Sequence, residues 1–294
     1  MENPVVADDP RMHGLISAEA TLQKLAEGRD HSEGPVYMPE DNSVIWSDVS
    51  GNCLYRWSPT QGVSVIREPS YYQNGNCRDR AGRIVSCFHG QRAIVRRDYD
   101  GEWRVLVSHY RGARLNSPND LVVHSDGSIW FSDPPFGLTQ PSEGYGGTQA
   151  QPGSFVYRFD PSTKEIVAVI KEMERPNGLA FSPDEKILYV SDTSQVNYAQ
   201  GHHYIRAYDI IGSQASNSRV FAIIEPGQPD GIKVDASGNL YTSSGDSVQI
   251  YAPDGTRLGK ILVPEICSNL TFGGPDGKSL FITAGKSLYA ILLQ

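Results

Sequence analysis

Six polar residues recur along the chain at intervals that suggest a common task. They are Glu33, Asn74, Asn119, Asn177, Asp230 and Asn269, separated by 41, 45, 58, 53 and 39 positions. Each opens a short apolar run, as in Glu33-Gly-Pro-Val-Tyr37, Asn177-Gly-Leu-Ala-Phe181 and Asp230-Gly-Ile-Lys-Val234. Glu33 and Asp230 bring negative charge, and the four asparagines bring amide oxygens. Oxygen donors without thiolates suit a hard divalent ion such as Ca²⁺, which takes 6–8 oxygens in flexible geometry. Mn²⁺, Mg²⁺ and Zn²⁺ are alternatives, zinc being the poorer fit to such a donor set. Two carboxylates neutralise one dication and leave positions for water and substrate.

Such residues need a scaffold that brings them together. After each opening run comes a turn, such as Asp126-Gly127 or Ser237-Gly238, and then a second run that ends in a hydroxyl residue. Those hydroxyls are Ser47, Ser86, Ser132, Ser191, Ser243 and Thr283, at 14, 12, 13, 14, 13 and 14 residues past the opening residue. With 29 glycines, 19 prolines and no sustained helical periodicity, the chain reads as all-β. Repeats of this length are those of four-stranded propeller blades, so the pattern predicts a six-bladed β-propeller with four-stranded blades. The last copy ends too early for a full blade, so residues 20–26 are expected to close it and leave no unpaired edge. Residues 20–294 then form one propeller domain, with 1–19 as an N-terminal extension.

If the first run of each repeat is the innermost strand, all six opening residues meet at one end of the central channel. The second strand runs antiparallel, so its exit loop emerges on the same face. Two of these loops are long, 134–153 and 193–203, and loops of such length over a polar ring read as a lid. Proline precedes three ring residues, at Pro118, Pro176 and Pro229, and restricts the backbone where it enters the channel.

Composition narrows the partners. The 294 residues are 39% apolar and 20% charged, with 26 Lys plus Arg against 34 Asp plus Glu and a formal charge of −8. That balance speaks against nucleic acid and anionic membranes as partners. No apolar run approaches the ~18 residues of a membrane span. Cys53, Cys77, Cys87 and Cys267 show no CxxC spacing and read as buried thiols, and no secretory signal is visible, which points to a cytoplasmic protein.

The strings EGPVY, LNSPNDLVVHSDGSIWFSDPPFG, RPNGLAFSPDEKILYVSD and QPDGIKVDASGNLY resemble the senescence-marker-protein/gluconolactonase/luciferin-regenerating-enzyme family, its bacterial gluconolactonases most of all. The resemblance implies a divalent metal, usually Ca²⁺, held by Glu33, Asn119, Asn177 and Asp230, and hydrolysis of a sugar lactone. In relatives the residue matching Asp230 is also proposed as general base or nucleophile. One departure stands at Cys87-Phe88-His89-Gly90, where many bacterial gluconolactonases carry Cys-Glu-His-Gly. Asn74, Asn269, Tyr145, His89, His202 and His203 are candidates for holding substrate hydroxyls, with Arg111 and Arg114 close upstream of Asn119. Two other functions fit the metal quartet: an organophosphate hydrolase resembling diisopropylfluorophosphatase, and a non-catalytic calcium-binding propeller. The oligomeric state is left open.

Overall fold

The computed structural model describes residues 3–294 and is a six-bladed β-propeller. Blade 1 is built from Ser32–Met38, Ser43–Asp48, Cys53–Ser58 and Gly62–Arg67, innermost strand first. Blade 2 follows with Gln73–Arg78, Ile84–Phe88, Ala93–Arg97 and Trp103–Val107. Blade 3 comprises Leu121–Val123, Ile129–Asp133, Phe155–Phe159 and Ile166–Ile170, and blade 4 Pro176–Phe181, Ile187–Asp192, Tyr204–Ile211 and Gln214–Ile223. Blade 5 holds Ile232–Val234, Leu240–Ser243, Ser247–Tyr251 and Arg257–Leu262; blade 6 holds Cys267–Gly273, Ser279–Ala284 and Ser287–Leu292. Every pairing within a blade is antiparallel, as up-and-down connections demand.

The second strands are apolar on both faces because neighbouring blades cover both. Ser43–Asp48 and Ile129–Asp133 are buried along their whole length. Apolar side chains of adjacent blades interlock, as where Trp130 of blade 3 meets Phe181 of blade 4 edge to face at 5.4 Å. Inner strands approach more closely still. A Cβ on Gly34 would lie 2.2 Å from the carbonyl oxygen of Asn74 in the next blade, and one on Gly178 2.3 Å from that of Asp230. Glycine after the opening residue is thus the condition for packing the blades around a narrow axis.

Sequence beginning and end meet in the last blade. Gln23–Ala26 pairs with Ser287–Leu292 as the fourth strand of blade 6, the closure expected for residues 20–26. Upstream, Val5–Ala7 adds a fifth strand to blade 5 beside Arg257–Leu262. The described part of the 1–19 extension is therefore laid into the propeller, with Met12 and Ile16 fully buried against Ile250, Leu258 and Ile261. Among the described residues no helix is long and apolar enough to cross a membrane.

Closure from the N-terminus has a measurable consequence. A chain starting at Glu27 leaves the outer edges of blades 5 and 6 unpaired and uncovers the bed of Met12 and Ile16. Calorimetry should show the melting temperature falling by about 10 °C or more, or the single transition lost. Unchanged melting would contradict the closure.

Candidate active site

Each ring residue is held at its backbone before its side chain does anything. The carboxylate of Asp48 accepts from the amides of Asp30 and His31 at 2.8–3.1 Å, that of Asp133 from Asn116 at 2.8 Å, and that of Asp192 from Glu174 at 3.0 Å. These bonds fall three residues before Glu33, Asn119 and Asn177 respectively. The hydroxyl that precedes each aspartate grips the ring from the other side. Ser47 Oγ donates to the carbonyl of Asn74 at 2.7 Å and Ser191 Oγ to that of Asp230 at 2.7 Å, both in the next blade. Ser243 Oγ accepts from the Asp230 amide at 2.9 Å, and Thr283 Oγ1 donates to the Asn269 carbonyl at 3.2 Å. The regular hydroxyl spacing in the sequence thus has a cause, since these side chains fasten the inner strands where the ring residues sit.

On this frame the side chains form a chain of amides. Asn74 Nδ2 donates to Asn119 Oδ1 at 2.7 Å, and Asn119 Nδ2 donates to Asn177 Oδ1 at 2.5 Å. The Asn177 amide in turn faces the carboxylate of Asp230. Burial raises the proton affinity of Asp230 well above the usual carboxylate range, with Glu33, Asp120 and Glu143 adding repulsion. Glu33 is buried, accepts from the Gly34 amide and from Asn269 Nδ2 at 3.0 Å, and is pushed up by burial and by Asp120 to about 7.

Above the ring lies loop 134–153. His89 is buried, and its Nδ1 faces the carbonyl of Glu143 at 3.0 Å, so Nδ1 carries the proton of the neutral ring. Burial holds its pKa low. Nε2 is then an acceptor, 3.3 Å from Asn74 Nδ2 and 3.1 Å from Asn119 Oδ1. The Glu143 carboxylate turns to His31, 3.5 Å from its Nδ1. Burial opposes the charge on both partners, yet their mutual attraction outweighs it: His31 is raised and Glu143 lowered. The loop is seated on glycines, for a Cβ on Gly137 would strike His89 and one on Gly90 the ring of Tyr145. Tyr145 itself is exposed and packs edge to face on Tyr72 at 5.1 Å, forming the outer rim.

The structure sorts the sequence-derived candidates. Glu33, Asn74, Asn119, Asn177, Asp230, Asn269 and His89 come together at one channel end. Asn269 is not free for a substrate hydroxyl: its Nδ2 serves Glu33 and Asp120, and its Oδ1 accepts from Leu270 N at 2.9 Å. His203 donates from Nδ1 to the Ile224 carbonyl at 2.9 Å, and among the described residues no hydrogen bond joins it to the ring. His202 stacks on Tyr204 beside Glu174, at the outer side of loop 193–203. Arg111 lies over Tyr110 and Arg114 donates to the Gln91 carbonyl, both on the exposed hairpin of His109–Tyr110 and Ala113–Arg114 rather than at the ring. Phe88, at the departure from the Cys-Glu-His-Gly pattern, is fully buried under the Arg67 guanidinium with Trp103, so the lost acid is not a ring residue.

Four residues escaped the sequence reading: Asp120, Lys233, Glu143 and His31. Asp120 had a signal, because glycine follows the opening residue in four repeats and aspartate in this one. The side chain projects into the axis, buried, toward Gly75 and Asn269.

The donor set fits a cation. Asn74 Oδ1 is buried with no donor among the described residues, and the same ring holds two carboxylates, Glu33 and Asp230, that repel one another.

Comparison with known proteins agrees over nearly the whole chain. Residues 31–286 match the family model described as the SMP-30/Gluconolactonase/LRE-like region. A gluconolactonase of Zymomonas mobilis is 32% identical over 96% of this chain and 84% of its own. A pentonolactonase of Haloferax volcanii is 29% identical over 85% of this chain and 80% of its own. The solved structure of a gluconolactonase from Xanthomonas campestris superposes with a TM-score of 0.93 at 38% identity, covering 99% of this chain and 95% of that one.

One supporting aspartate, Asp133, makes a pH-dependent contribution. Burial pushes Asp133 up to about 7, and its Oδ1 has no protein partner. The folded-state value lies above the unfolded one, so from about pH 4 to 7 the folded chain keeps a proton that the unfolded chain has released. Stability therefore falls as pH rises through that window, by about 2–4 kcal/mol. Asp133→Asn removes the slope, so melting curves at pH 5 and pH 8 should show the variant gaining several degrees on the wild type. A gap independent of pH would mean that Asp133 is already ionised in the folded state at pH 5.

Proposed function

The chain belongs to the SMP-30/gluconolactonase/LRE-like family, and on that premise we propose that it is a lactonase opening a sugar lactone with the help of one divalent ion. The reading is carried by one observation: oxygen-donor side chains of six blades converge at a single channel end, under a seated loop, in a chain that matches lactone hydrolases almost end to end. Glu33, Asn119, Asn177 and Asp230 would hold the ion, with Ca²⁺ the best match to oxygen donors. When bound, such an ion polarises the lactone carbonyl and offsets the charge that grows on its oxygen.

The protein's own groups do the rest. Water attacks the acyl carbon, the ring C–O bond breaks, the proton taken from the water passes to the departing ring oxygen, and the product is an open-chain hydroxy carboxylate whose carboxyl proton is released to solvent. Asp230 lies at the centre of the acceptors and takes the proton of the attacking water. With the ion bound, its positive charge would offset the burial and the repulsion from Glu33 and Asp120, so Asp230 would stay ionised and able to take that proton. Asn74 Oδ1, without a protein donor, is placed to accept from a substrate hydroxyl. His89 keeps the Asn74 amide turned so that this oxygen stays available. Loop 134–153, held by Glu143 and His31, covers the site against bulk water. The relatives include a gluconolactonase and a pentonolactonase, so five- and six-carbon aldonolactones are the class to test. Free thiols at all four cysteines support a cytoplasmic setting.

A pH-indicator assay over such lactones, with one fluorophosphate ester alongside, tests the reading on chelator-stripped and Ca²⁺-reloaded protein. Lactone opening should vanish on stripping and return on reloading; no turnover of any sugar lactone at full occupancy would overturn it. Glu33→Gln should weaken ion affinity, because a neutral dipole replaces a charge. Asp230→Asn at saturating ion should lose ~10²–10⁴-fold in kcat, the usual worth of a general base. Asn177→Asp, which alters the shell and spares the base, is the comparison. Full recovery of Asp230→Asn by added ion would reduce Asp230 to a ligand.

A further inference from the structure

Below the ring, three residues further along the inner strand from Asp230, Lys233 sends its ammonium into the channel. Lys233 Nζ donates to the carbonyl of Ile232 at 3.0 Å and lies 3.5 Å from Asn269 Oδ1. The same amide presents its Nδ2 to Glu33 Oε2 at 3.0 Å and Asp120 Oδ2 at 3.3 Å. The orientation is enforced from both ends, since turning the amide over would set its oxygen against two carboxylates and its NH₂ against an ammonium. Among the described residues Asp120 has no arginine or lysine in salt-bridge contact; its other oxygen accepts from Leu121 N at 2.8 Å. Lys233 is the cation that attracts it.

Counting charges gives the pair a purpose. With an ion bound and the carboxylates ionised, Glu33, Asp120 and Asp230 contribute three negative charges around the axis and Lys233 one positive, leaving two. The half-buried Cys77 thiol and the buried His89 are neutral. Glu143, above, has its own partner in His31. A net of two negative charges is what one dication neutralises, and the affinity of oxygen-donor sites is tuned by ligand charge count. A third uncompensated carboxylate would invite a proton or a second cation instead.

We propose that Lys233 is a resident counter-charge which, across the Asn269 amide, balances Asp120 and holds the channel at the charge of a single dication. Lys233 and Asp120 are then positioning residues that touch neither substrate nor ion. The proposal rests on the ion-binding reading above, and its test reads affinity rather than turnover.

Ca²⁺ is titrated calorimetrically into the chelator-stripped full chain for the wild type, Asp120→Asn, Lys233→Met and the double variant, with circular dichroism confirming the fold. Asp120→Asn leaves one net negative charge and should weaken Ca²⁺ binding about tenfold or more. Adding Lys233→Met restores two, and the double variant should recover most of that loss. A double variant as weak as Asp120→Asn, or weaker, overturns the proposal. Should Asp120→Asn fail to fold, Lys233→Met alone decides: binding about fivefold tighter is expected, and unchanged or weaker binding overturns it. A wild type that takes up no Ca²⁺, Mn²⁺ or Mg²⁺ removes the ion reading itself and this inference with it, whereas normal wild-type binding with an unrescued double variant removes only the counter-charge.

Discussion

Three carboxylates share one narrow axis, and most of the molecule is arranged around that repulsion. Glu33, Asp120 and Asp230 are brought together because six inner strands converge at the channel. In water, like charges so close would separate or neutralise; here backbone amides, asparagine NH₂ groups and one ammonium hold them. A ring kept this way carries an unmet need for positive charge, and that need makes it a site rather than a core.

The rigidity of the arrangement comes from outside the ring. Asp48, Asp133 and Asp192 catch the backbone three residues upstream of Glu33, Asn119 and Asn177, while Ser47 and Ser191 reach across to the following blade. One dipeptide, Ser-Asp, ends the second strand in blades 1, 3 and 4; in blades 1 and 4 it performs both tasks at once, and in blade 3 its serine bonds Asp120 of the same blade. Preorganisation of this kind reduces what a substrate or ion must expend in ordering its partners. The same logic applies above the ring, where loop 134–153 is pinned by His89 and His31 and its glycines permit van der Waals approach.

How much of this was legible beforehand depended on whether a feature repeats. Six opening polar residues and six hydroxyls at nearly constant offsets announced the propeller, the channel end and the closing strand at Gln23–Ala26. Features that occur once left no pattern to find. Asp120 left no mark beyond a single exception to the glycine that follows the opening residue in four repeats, and Glu143 sat in an irregular loop. His31 gained meaning only from Glu143, 112 residues away in the chain but 3.5 Å away in space. Asn269 shows the converse: its position in the repeat suggested a role in holding substrate, and hydrogen bonding ties it instead to Glu33, Asp120 and Leu270.

The amino-acid sequence by itself determined the all-β architecture, the six-fold count, the ring of oxygen donors and the end of the channel where they lie, because strand periodicity and turn chemistry are local and the repeat multiplies them. Only the tertiary structure decided which ring oxygens are free, which tautomer His89 adopts, and that Lys233 faces Asp120 across the Asn269 amide. These depend on burial and on contacts between blades, and no spacing along a chain encodes how desolvation and neighbouring charge divide among groups that meet only when the ring closes.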